Sequence, residues 1–252
     1  MRLQLCTWIE VDSYLERSTG IIIPVGSTEQ HGPTGFLGTD ALCPEMIAFK
    51  IGERLKVMVA PTINIGMAQH HLAFSGSITL RPTTLISLVC DVVNSLRLHG
   101  FNRFFFLNGH GGNIATLNAA FAEIYAETSL DIEAHNKPSV RCCLENWWSH
   151  SSIMGISKKY FGDSEGSHAT PSEVSLTYFG FPAEGKRVSQ NKLAPKLAPR
   201  GEIYDASDYR SRFPDGRIGS DPSLATPEIG EKIFEAAVEE LGKSFTRFCR
   251  DD

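Results

Sequence analysis

The 252-residue sequence contains no basic block and no long apolar run. Its formal net charge is −5, with 24 Lys and Arg residues against 29 Asp and Glu. Proteins that bind the phosphates of nucleic acids need clustered positive charge, so we expect no nucleic-acid partner. No stretch approaches the roughly 20 apolar residues that span a membrane, and the first residues lack the apolar core of a signal peptide. We therefore expect no association with a membrane.

The sequence also lacks the cysteine patterns of disulfide scaffolds and thiol metal sites. Its six cysteines include no C-x-x-C pair and are spread along the chain. The adjacent Cys142 and Cys143 would point to opposite faces of a strand, which argues against their acting together. This usage is typical of reduced, mostly buried thiols, so we expect a cytoplasmic protein.

What the sequence does contain is an alternation of short apolar runs and longer helical patterns. The runs are rich in branched or aromatic residues and predict buried strands at 21–25, 57–60, 103–107 and 139–144. Strands that alternate with helices at this spacing indicate a parallel sheet with helices on both faces. We find no internal repeat and no linker, which favours one domain over residues 1–252.

Residues 180–226 depart from this alternation. They are rich in Pro, Gly, Ser and charge and have little periodicity. We interpret them as an extended arm that packs on the body of the protein or on another subunit. The apolar residues Ile203, Tyr204, Tyr209 and Phe213 favour a subunit interface and a homo-oligomer, because a monomer has little reason to keep such an arm ordered.

The first predicted strand opens into a loop whose polar residues suit a metal ion. Glu29 and His31 are two residues apart and share a face of extended backbone. Asp40 lies where the next helix is predicted to begin, so all three could point into one cleft. Oxygen and nitrogen donors without a thiolate suit zinc, manganese, iron or magnesium. The alternative is that these are surface or capping residues.

A glycine-rich turn, Asn108-Gly109-His110-Gly111-Gly112-Asn113, follows the third predicted strand. It could cradle a phosphate at a helix N-terminus, but residue 114 is Ile, so the G-x-G-x-x-G spacing fails. The flanking glycines would leave room for His110 to bind a metal ion, and the alternative is a solvated histidine in a turn.

Trp147 follows the fourth predicted strand. It could be a core residue or a flat surface on which a substrate packs. Ligands bind beyond the carboxyl ends of parallel strands, so we expect these segments at one edge of the sheet.

Four segments together resemble the creatininase (creatinine amidohydrolase) family. They are Gly26-Ser-Thr-Glu-Gln-His-Gly-Pro, Thr39-Asp40, Phe74-Ser-Gly-Ser and Asn108-Gly-His-Gly-Gly-Asn. The resemblance covers about residues 20 to 178 and implies a single-domain, three-layer α/β/α sandwich around a mainly parallel sheet. It also implies a metal-dependent hydrolase of non-peptide C–N bonds with two divalent metal ions per chain. Such enzymes act on small amides and assemble as homo-oligomers, commonly hexamers.

The resemblance also implies roles for individual residues. Glu29 and His110 would bind one metal ion, His31 the other, and Asp40 would bridge the two. The metal ions would polarise the amide carbonyl and activate a water. His168 matches the family's downstream histidine, which can carry a proton to the leaving nitrogen.

The chain departs from the family at the second metal. Members that hydrolyse creatinine carry a glutamate where this chain has Gly112. We expect Glu173, five residues after His168, to supply the missing ligand, with Glu165 as the other candidate.

A second departure concerns the substrate pocket. Creatinine-hydrolysing members have Trp-Asp-x-Glu before the downstream histidine, whereas this chain has Ser164-Glu165-Gly166-Ser167. We therefore expect a wider, more polar pocket with Trp147, Gln69 and His71 contacting the substrate. The predicted activity is hydrolysis of an amide in a small cyclic or linear molecule other than creatinine. The alternatives are a formamide hydrolase (deformylase) of a pyrimidine intermediate and a catalytically lapsed small-molecule-binding protein.

Overall fold

The computed structural model of the chain describes residues 1–130 and 139–250. In this part of the chain one parallel sheet has the strand order β2-β1-β3-β4. The strands are β1 (Gly20–Val25), β2 (Met58–Val59), β3 (Arg103–Asn108) and β4 (Arg141–Asn146). Each lies within two residues of a run that predicts it, and β4 is shifted toward Asn146 because it pairs in register with β3 along its whole length.

Helices cover both faces of the sheet. They are α1 (Trp8–Leu15), α2 (Thr39–Leu55), α3 (Pro82–Leu98), α4 (Ile114–Ser129), α5 (Ser151–Tyr160), α6 (Pro171–Gly180), α7 (Pro182–Val188), α8 (Ala206–Arg212) and α9 (Pro227–Arg250). None of these helices in the described ranges is both long and apolar enough to cross a membrane.

Alternate residues of the two central strands fill two separate cores. Ile21 on β1 and Phe104 on β3 pack with α1, α3 and α4. Ile22 and Phe105, which point the opposite way, pack with α2, α5, α6 and α9. All four side chains are fully buried, as expected for strands covered on both faces. The arrangement confirms the predicted three-layer α/β/α sandwich.

The strand register brings the carboxyl ends of β1, β3 and β4 level with one another. Val25 pairs with Asn108, and Asn108 pairs with Asn146. The loops that follow these three residues therefore leave the sheet side by side. This edge holds the segments in which the sequence predicts a site.

The arm at 180–226 packs on the body of its own chain. It contains the helices α7 and α8, and it buries Tyr209 and Phe213 against Phe74 of the long 61–81 connection. Tyr204 is 65% exposed. Because Tyr209 and Phe213 are buried within their own chain, they no longer argue for a subunit interface. The homo-oligomer and the single domain over residues 1–252 stay predictions.

The crossing of α6 and α9 depends on a glycine, which gives a test of the packing. A Cβ at Gly230 would overlap the main-chain oxygen of Ser175, and neither backbone can move aside easily. We expect Gly230→Ala to lower the free energy of unfolding by about 1–3 kcal/mol because the helices must separate. Urea unfolding followed by circular dichroism measures the change.

Gly155 in α5 supplies the matched control. It is exposed, and a Cβ there meets no atom within 4 Å in the described part of the chain. Gly155→Ala should raise the free energy of unfolding by about 0.5–1 kcal/mol, the usual gain inside a helix. Equal unfolding midpoints for the two variants would contradict the close crossing.

Candidate metal centre

Six acidic and imidazole side chains of the described residues converge at the carboxyl edge of the sheet. They form three groups, and within each group the possible ligand atoms lie within 4.8 Å of one another. The groups are Glu29–Asp40–His110, His31–Asp40–Glu173 and Glu29–His31–His168. Glu29 and His31 come from the loop after β1, and His110 from the turn after β3. The first two groups have Asp40 in common, which is the arrangement that a bridging carboxylate requires.

Asp40 reaches this position because two glycines let its backbone approach the strand ends. A Cβ at Gly26 or at Gly109 would overlap the main-chain oxygen of Asp40. Pro44, one helical turn later, has no N–H to bond that oxygen. The start of α2 is thereby seated directly on the ends of β1 and β3.

The carboxylate oxygens at the centre have few hydrogen-bond donors. Both oxygens of Glu29 and Oδ2 of Asp40 are buried and accept no hydrogen bond of good geometry from the described residues. Buried polar atoms in proteins almost always have a partner. Unpartnered carboxylate oxygens that face one another therefore suit a bound cation.

One ring nitrogen of His31 and of His168 faces a carboxylate, whereas both nitrogens of His110 do, Nδ1 toward Asp40 and Nε2 toward Glu29 at 3.3 Å. One nitrogen of each ring also contacts a main-chain oxygen: His31 Nδ1 to Glu29 at 3.0 Å, His110 Nε2 to Met67 at 2.9 Å and His168 Nε2 to Gln30 at 2.7 Å. Carbonyl oxygens only accept hydrogen bonds, so these nitrogens hold the proton and the opposite nitrogens keep a lone pair. Metal-binding histidines are commonly oriented in this way.

Asp40 lies between two of these lone pairs. Its Oδ1 is 3.1 Å from His31 Nε2, and its Oδ2 is 3.0 Å from His110 Nδ1. Two acceptor atoms at such separations repel one another unless a proton or a metal ion lies between them. The donor set and its orientation therefore fit divalent metal ions.

In the absence of metal, the pKa values of these groups also indicate that the cluster favours positive charge. Burial alone would lower the pKa of His31 and of His110, but the carboxylates of Asp40 and Glu29 raise these values to about 10 and about 9. Burial opposes ionisation of Asp40, yet the two histidines lower its pKa. Burial raises the pKa of Glu29. Protons thus occupy places that a metal ion would take, since ligands must lose them to bind.

Of the two candidates for the ligand missing at Gly112, only Glu173 lies in the cluster. It is the third residue of α6 and forms a capping box with Thr170, whose N–H donates to Glu173 Oε1 at 2.5 Å. Glu165 accepts a hydrogen bond from Ser172 and belongs to none of the three ligand groups. Burial raises the pKa of both carboxyls to about 7.

The ligand cluster forms the floor of a cavity of about 1070 Å³. Trp147 and His71 line this cavity, as the sequence analysis expects for substrate contacts, and Trp147 also packs into the core behind it. Gln69 differs from its prediction because it is exposed and does not line the cavity. It begins a 3₁₀ turn, in which successive side chains point about 120° apart, so that His71 faces inward while Gln69 faces solvent.

The buried position of Gln30 was not predicted from the sequence, and Tyr209 was predicted at a subunit interface. Gln30 is buried between the candidate ligands Glu29 and His31, and its side-chain nitrogen is 3.0 Å from the Tyr209 hydroxyl. The position of Gln30 inside the Glu-Gln-His motif was the available signal. For Tyr209 no local signal existed, because 179 residues separate it from Gln30.

One motif in the cavity wall has a spacing that resembles a serine-hydrolase elbow. Residues 162–166 read Gly-Asp-Ser-Glu-Gly, which fits G-x-S-x-G. A nucleophile elbow requires a strand before the serine and a helix after it. Here Ser164 ends a 3₁₀ turn that follows α5, so the segment is not an elbow.

The α/β/α fold and the buried carboxylate–imidazole cluster define a class, the metal-dependent hydrolases. The profile of the creatininase family, described as creatinine amidohydrolase, matches residues 4–245. The chain therefore belongs to the creatininase family of metal-dependent amidohydrolases.

Curated relatives cover most of the chain at modest identity. The mycofactocin precursor peptide peptidase of Mycobacterium tuberculosis is 28% identical over 244 residues, covering 92% of this chain and 86% of the relative. The creatinine amidohydrolase of Pseudomonas putida is 29% identical over 249 residues, covering 92% and 91%. The 3-dehydro-scyllo-inosose hydrolase of Thermotoga maritima is 25% identical over 268 residues, covering 95% and 81%. Because one of these names is a peptidase, the relatives do not support a restriction to non-peptide C–N bonds.

Solved structures confirm the fold. A crystal structure of creatinine amidohydrolase aligns with a TM-score of 0.82 at 20% identity, covering 100% of this chain and 98% of that one. A structure titled "Creatininase Mn" aligns with a TM-score of 0.83 at 21% identity, covering 99% of each chain. One further creatininase structure is described as a zinc form.

The shared position of Asp40 predicts the metal content of variants. We expect the purified protein to bind up to two divalent ions per chain and Asp40→Ala to lose both, because both ligand groups need this carboxylate. Inductively coupled plasma mass spectrometry measures the metal content, and circular dichroism checks the fold.

Glu202→Ala is the matched control for this variant. Glu202 is an exposed carboxylate that lines the same cavity but belongs to no ligand group of the described residues. It should keep the wild-type metal content. Full metal content in Asp40→Ala would contradict the bridging arrangement.

Proposed function

We propose that this chain hydrolyses an amide C–N bond in a substrate larger than creatinine, with two divalent metal ions at the cavity floor. The observation that supports this most directly is the buried cluster at the floor of a cavity of about 1070 Å³. Both carboxylate oxygens of Asp40 lie within 3.1 Å of imidazole nitrogens, and both oxygens of Glu29 accept no hydrogen bond of good geometry from the described residues. A binding protein without catalysis would have no need for this buried arrangement, which costs stability unless a cation is present.

The proposed ligands fall into two sets around Asp40. Glu29 and His110 would hold one ion, and His31 and Glu173 the other, with Asp40 in both sets. Neutral imidazole and carboxylate donors suit zinc or manganese, and relatives of this fold are described with both metals. When bound, the ions would supply Lewis-acid polarisation of the carbonyl and a water of lowered pKa.

The residue best placed to move a proton is His168. Its Nε2 is 2.7 Å from the Gln30 main-chain oxygen and 3.0 Å from the Gln30 side-chain nitrogen; we assign the proton to Nε2 on the shorter contact and the lone pair to Nδ1, 3.9 Å from Glu29 Oε1. Burial lowers the pKa of His168 well below its usual value, so the ring is neutral in the metal-free protein. Nδ1 would take the proton lost by water and deliver it to the leaving nitrogen.

The cavity supports a substrate larger than a single small ring. Ser167 lines the side on which creatinine-hydrolysing members carry a glutamate, and Gly166 beside it has no side chain. Oε2 of Glu165, in the same wall, has no hydrogen-bond partner among the described residues. A substrate with an N–H or O–H group beyond the scissile bond would satisfy this oxygen.

A peptide amide is a second candidate for the scissile bond. The curated relatives named as peptidases of a precursor peptide cover 92% of this chain, and the size of the cavity accommodates several residues. Assaying the metal-loaded protein against lactams, formamidopyrimidines and short peptides separates the possibilities. Release of formate would identify a deformylase, and a new primary amine would identify peptide cleavage.

We expect weak or absent creatinine hydrolysis despite intact metal binding. Ser164 stands where creatinine-hydrolysing members carry a tryptophan, so a small ring loses an aromatic contact and part of its orientation. Such a contact alone contributes about 1 kcal/mol beyond buried area. Steady-state assays of the zinc- and manganese-loaded protein check this expectation. Turnover at ordinary enzyme rates, about 1–1000 per second, would show that the cavity is misread.

The role of His168 predicts a separation of turnover from metal binding. We expect His168→Gln to lower kcat by roughly 10²- to 10⁴-fold, the usual contribution of a general acid–base, and to keep the wild-type metal content. His99→Gln, at an exposed histidine remote from the cavity, is the control and should match wild type. Loss of metal in the first variant would instead make His168 a ligand.

A further inference from the structure

Gln30 is the centre of a buried polar network that the proposed mechanism does not use. Its side-chain nitrogen Nε2 is 3.0 Å from His71 Nδ1, from His168 Nε2 and from the Tyr209 hydroxyl, and 2.9 Å from the Gly216 main-chain oxygen. Only 5% of Gln30 is exposed. A side chain so enclosed has a single orientation, and that orientation has chemical consequences for its neighbours.

The two ends of the Gln30 amide are assigned by their partners. Its oxygen Oε1 accepts a hydrogen bond from the Gly32 N–H at 2.8 Å. On the other side Nε2 meets the Gly216 oxygen, which can only accept. Exchanging oxygen and nitrogen would pair two donors at Gly32 and two acceptors at Gly216.

This orientation fixes the proton of His71. An amide nitrogen only donates, so a proton on His71 Nδ1 at 3.0 Å would oppose it, and Nδ1 of the neutral ring therefore carries the lone pair. His168 Nε2, also 3.0 Å away, is closer to the Gln30 main-chain oxygen, at 2.7 Å, and holds its proton there. The ring proton of neutral His71 is therefore on Nε2. That nitrogen is 2.9 Å from Oε1 of Glu29, a proposed metal ligand.

The same network anchors the arm at 180–226. The Tyr209 hydroxyl donates to the Gly216 oxygen at 2.6 Å, and its ring meets that of His71 edge-on with centroids 4.9 Å apart. Gly216 has a φ of +84°, and a Cβ there would overlap Oε1 of Gln30. Gly216 thus supplies both the backbone conformation and the space that Gln30 needs.

We propose that Gln30 is a positioning residue that fixes the proton of His71 on Nε2 and thereby connects the arm to the metal ligand Glu29. Ligating carboxylates are usually oriented by such outer partners, and removing one typically weakens metal binding by 10- to 100-fold. This inference rests on the proposed metal centre, because the orientation of Glu29 matters only if Glu29 binds a metal ion.

The first test reads the proton directly. Nitrogen-15 NMR of the histidine-labelled protein, zinc-loaded and metal-free, distinguishes the two neutral tautomers of a histidine, and His71→Gln assigns the signal. We expect His71 to carry its proton on Nε2 in the wild type and on Nδ1 in Gln30→Glu, where a carboxylate oxygen faces the ring. A wild-type His71 with its proton on Nδ1 would overturn the inference.

The second test measures zinc affinity by competition with a chromophoric chelator. We expect the Kd for zinc to rise 10- to 100-fold in Gln30→Glu and less steeply in Tyr209→Phe, which keeps the buried ring. Gln190→Glu makes the same change at an exposed position of the arm and should keep the wild-type Kd.

The outcomes separate this inference from the function on which it rests. Wild-type protein that binds no divalent metal would overturn the proposed function, and the His71 tautomer in the metal-free protein would still decide the role of Gln30. Wild-type affinity in both Gln30→Glu and Tyr209→Phe would overturn the inference alone.

Discussion

The contact of the Asp40 backbone with the ends of β1 and β3 is the constraint on which the site depends. It requires glycine at positions 26 and 109 and benefits from the missing N–H of Pro44. Through it, a carboxylate at a helix start meets an imidazole from a neighbouring strand end. The ligand geometry is therefore a consequence of close main-chain packing in the sheet, and not of mobile side chains reaching across a cleft.

Electrostatics makes this packing costly without a cation. Glu29 and Asp40 are both buried, and imidazole nitrogens of His31, His71 and His110 lie within 3.3 Å of their carboxylate oxygens. Elevated pKa values of His31 and His110 show how strongly the centre attracts positive charge. The same residues that make the metal-free centre unfavourable are those that the proposed metal ions would contact.

Local pattern was sufficient to predict much of the fold and part of the site. The apolar runs that become β1 and β3, and the loops after them, follow from strand periodicity and from the rule that sites lie beyond strand ends. The convergence of Glu29, His31, Asp40 and His110 follows for the same reason.

What local pattern could not predict depends on contacts between distant parts of the chain. The burial of Tyr209 in its own chain depends on a pocket formed by the 61–81 connection, and nothing near Tyr209 in the sequence signals it. The outward direction of Gln69 depends on a 3₁₀ turn whose residues have no helical periodicity. In both cases tertiary packing, and not local preference, decides where the side chain points.

The bond between Gln30 and Tyr209 has a consequence for how the protein acquires its site. It joins residues 179 positions apart, near the two ends of the chain. Contacts of such long sequence separation must close a large loop, so they form after the more local helices and strands. The ends of β1 and β3 can meet within the first half of the chain, but the wall above them is completed only when the second half has been synthesised and has folded back. We therefore expect the site to be completed late in folding, together with the core that α9 closes.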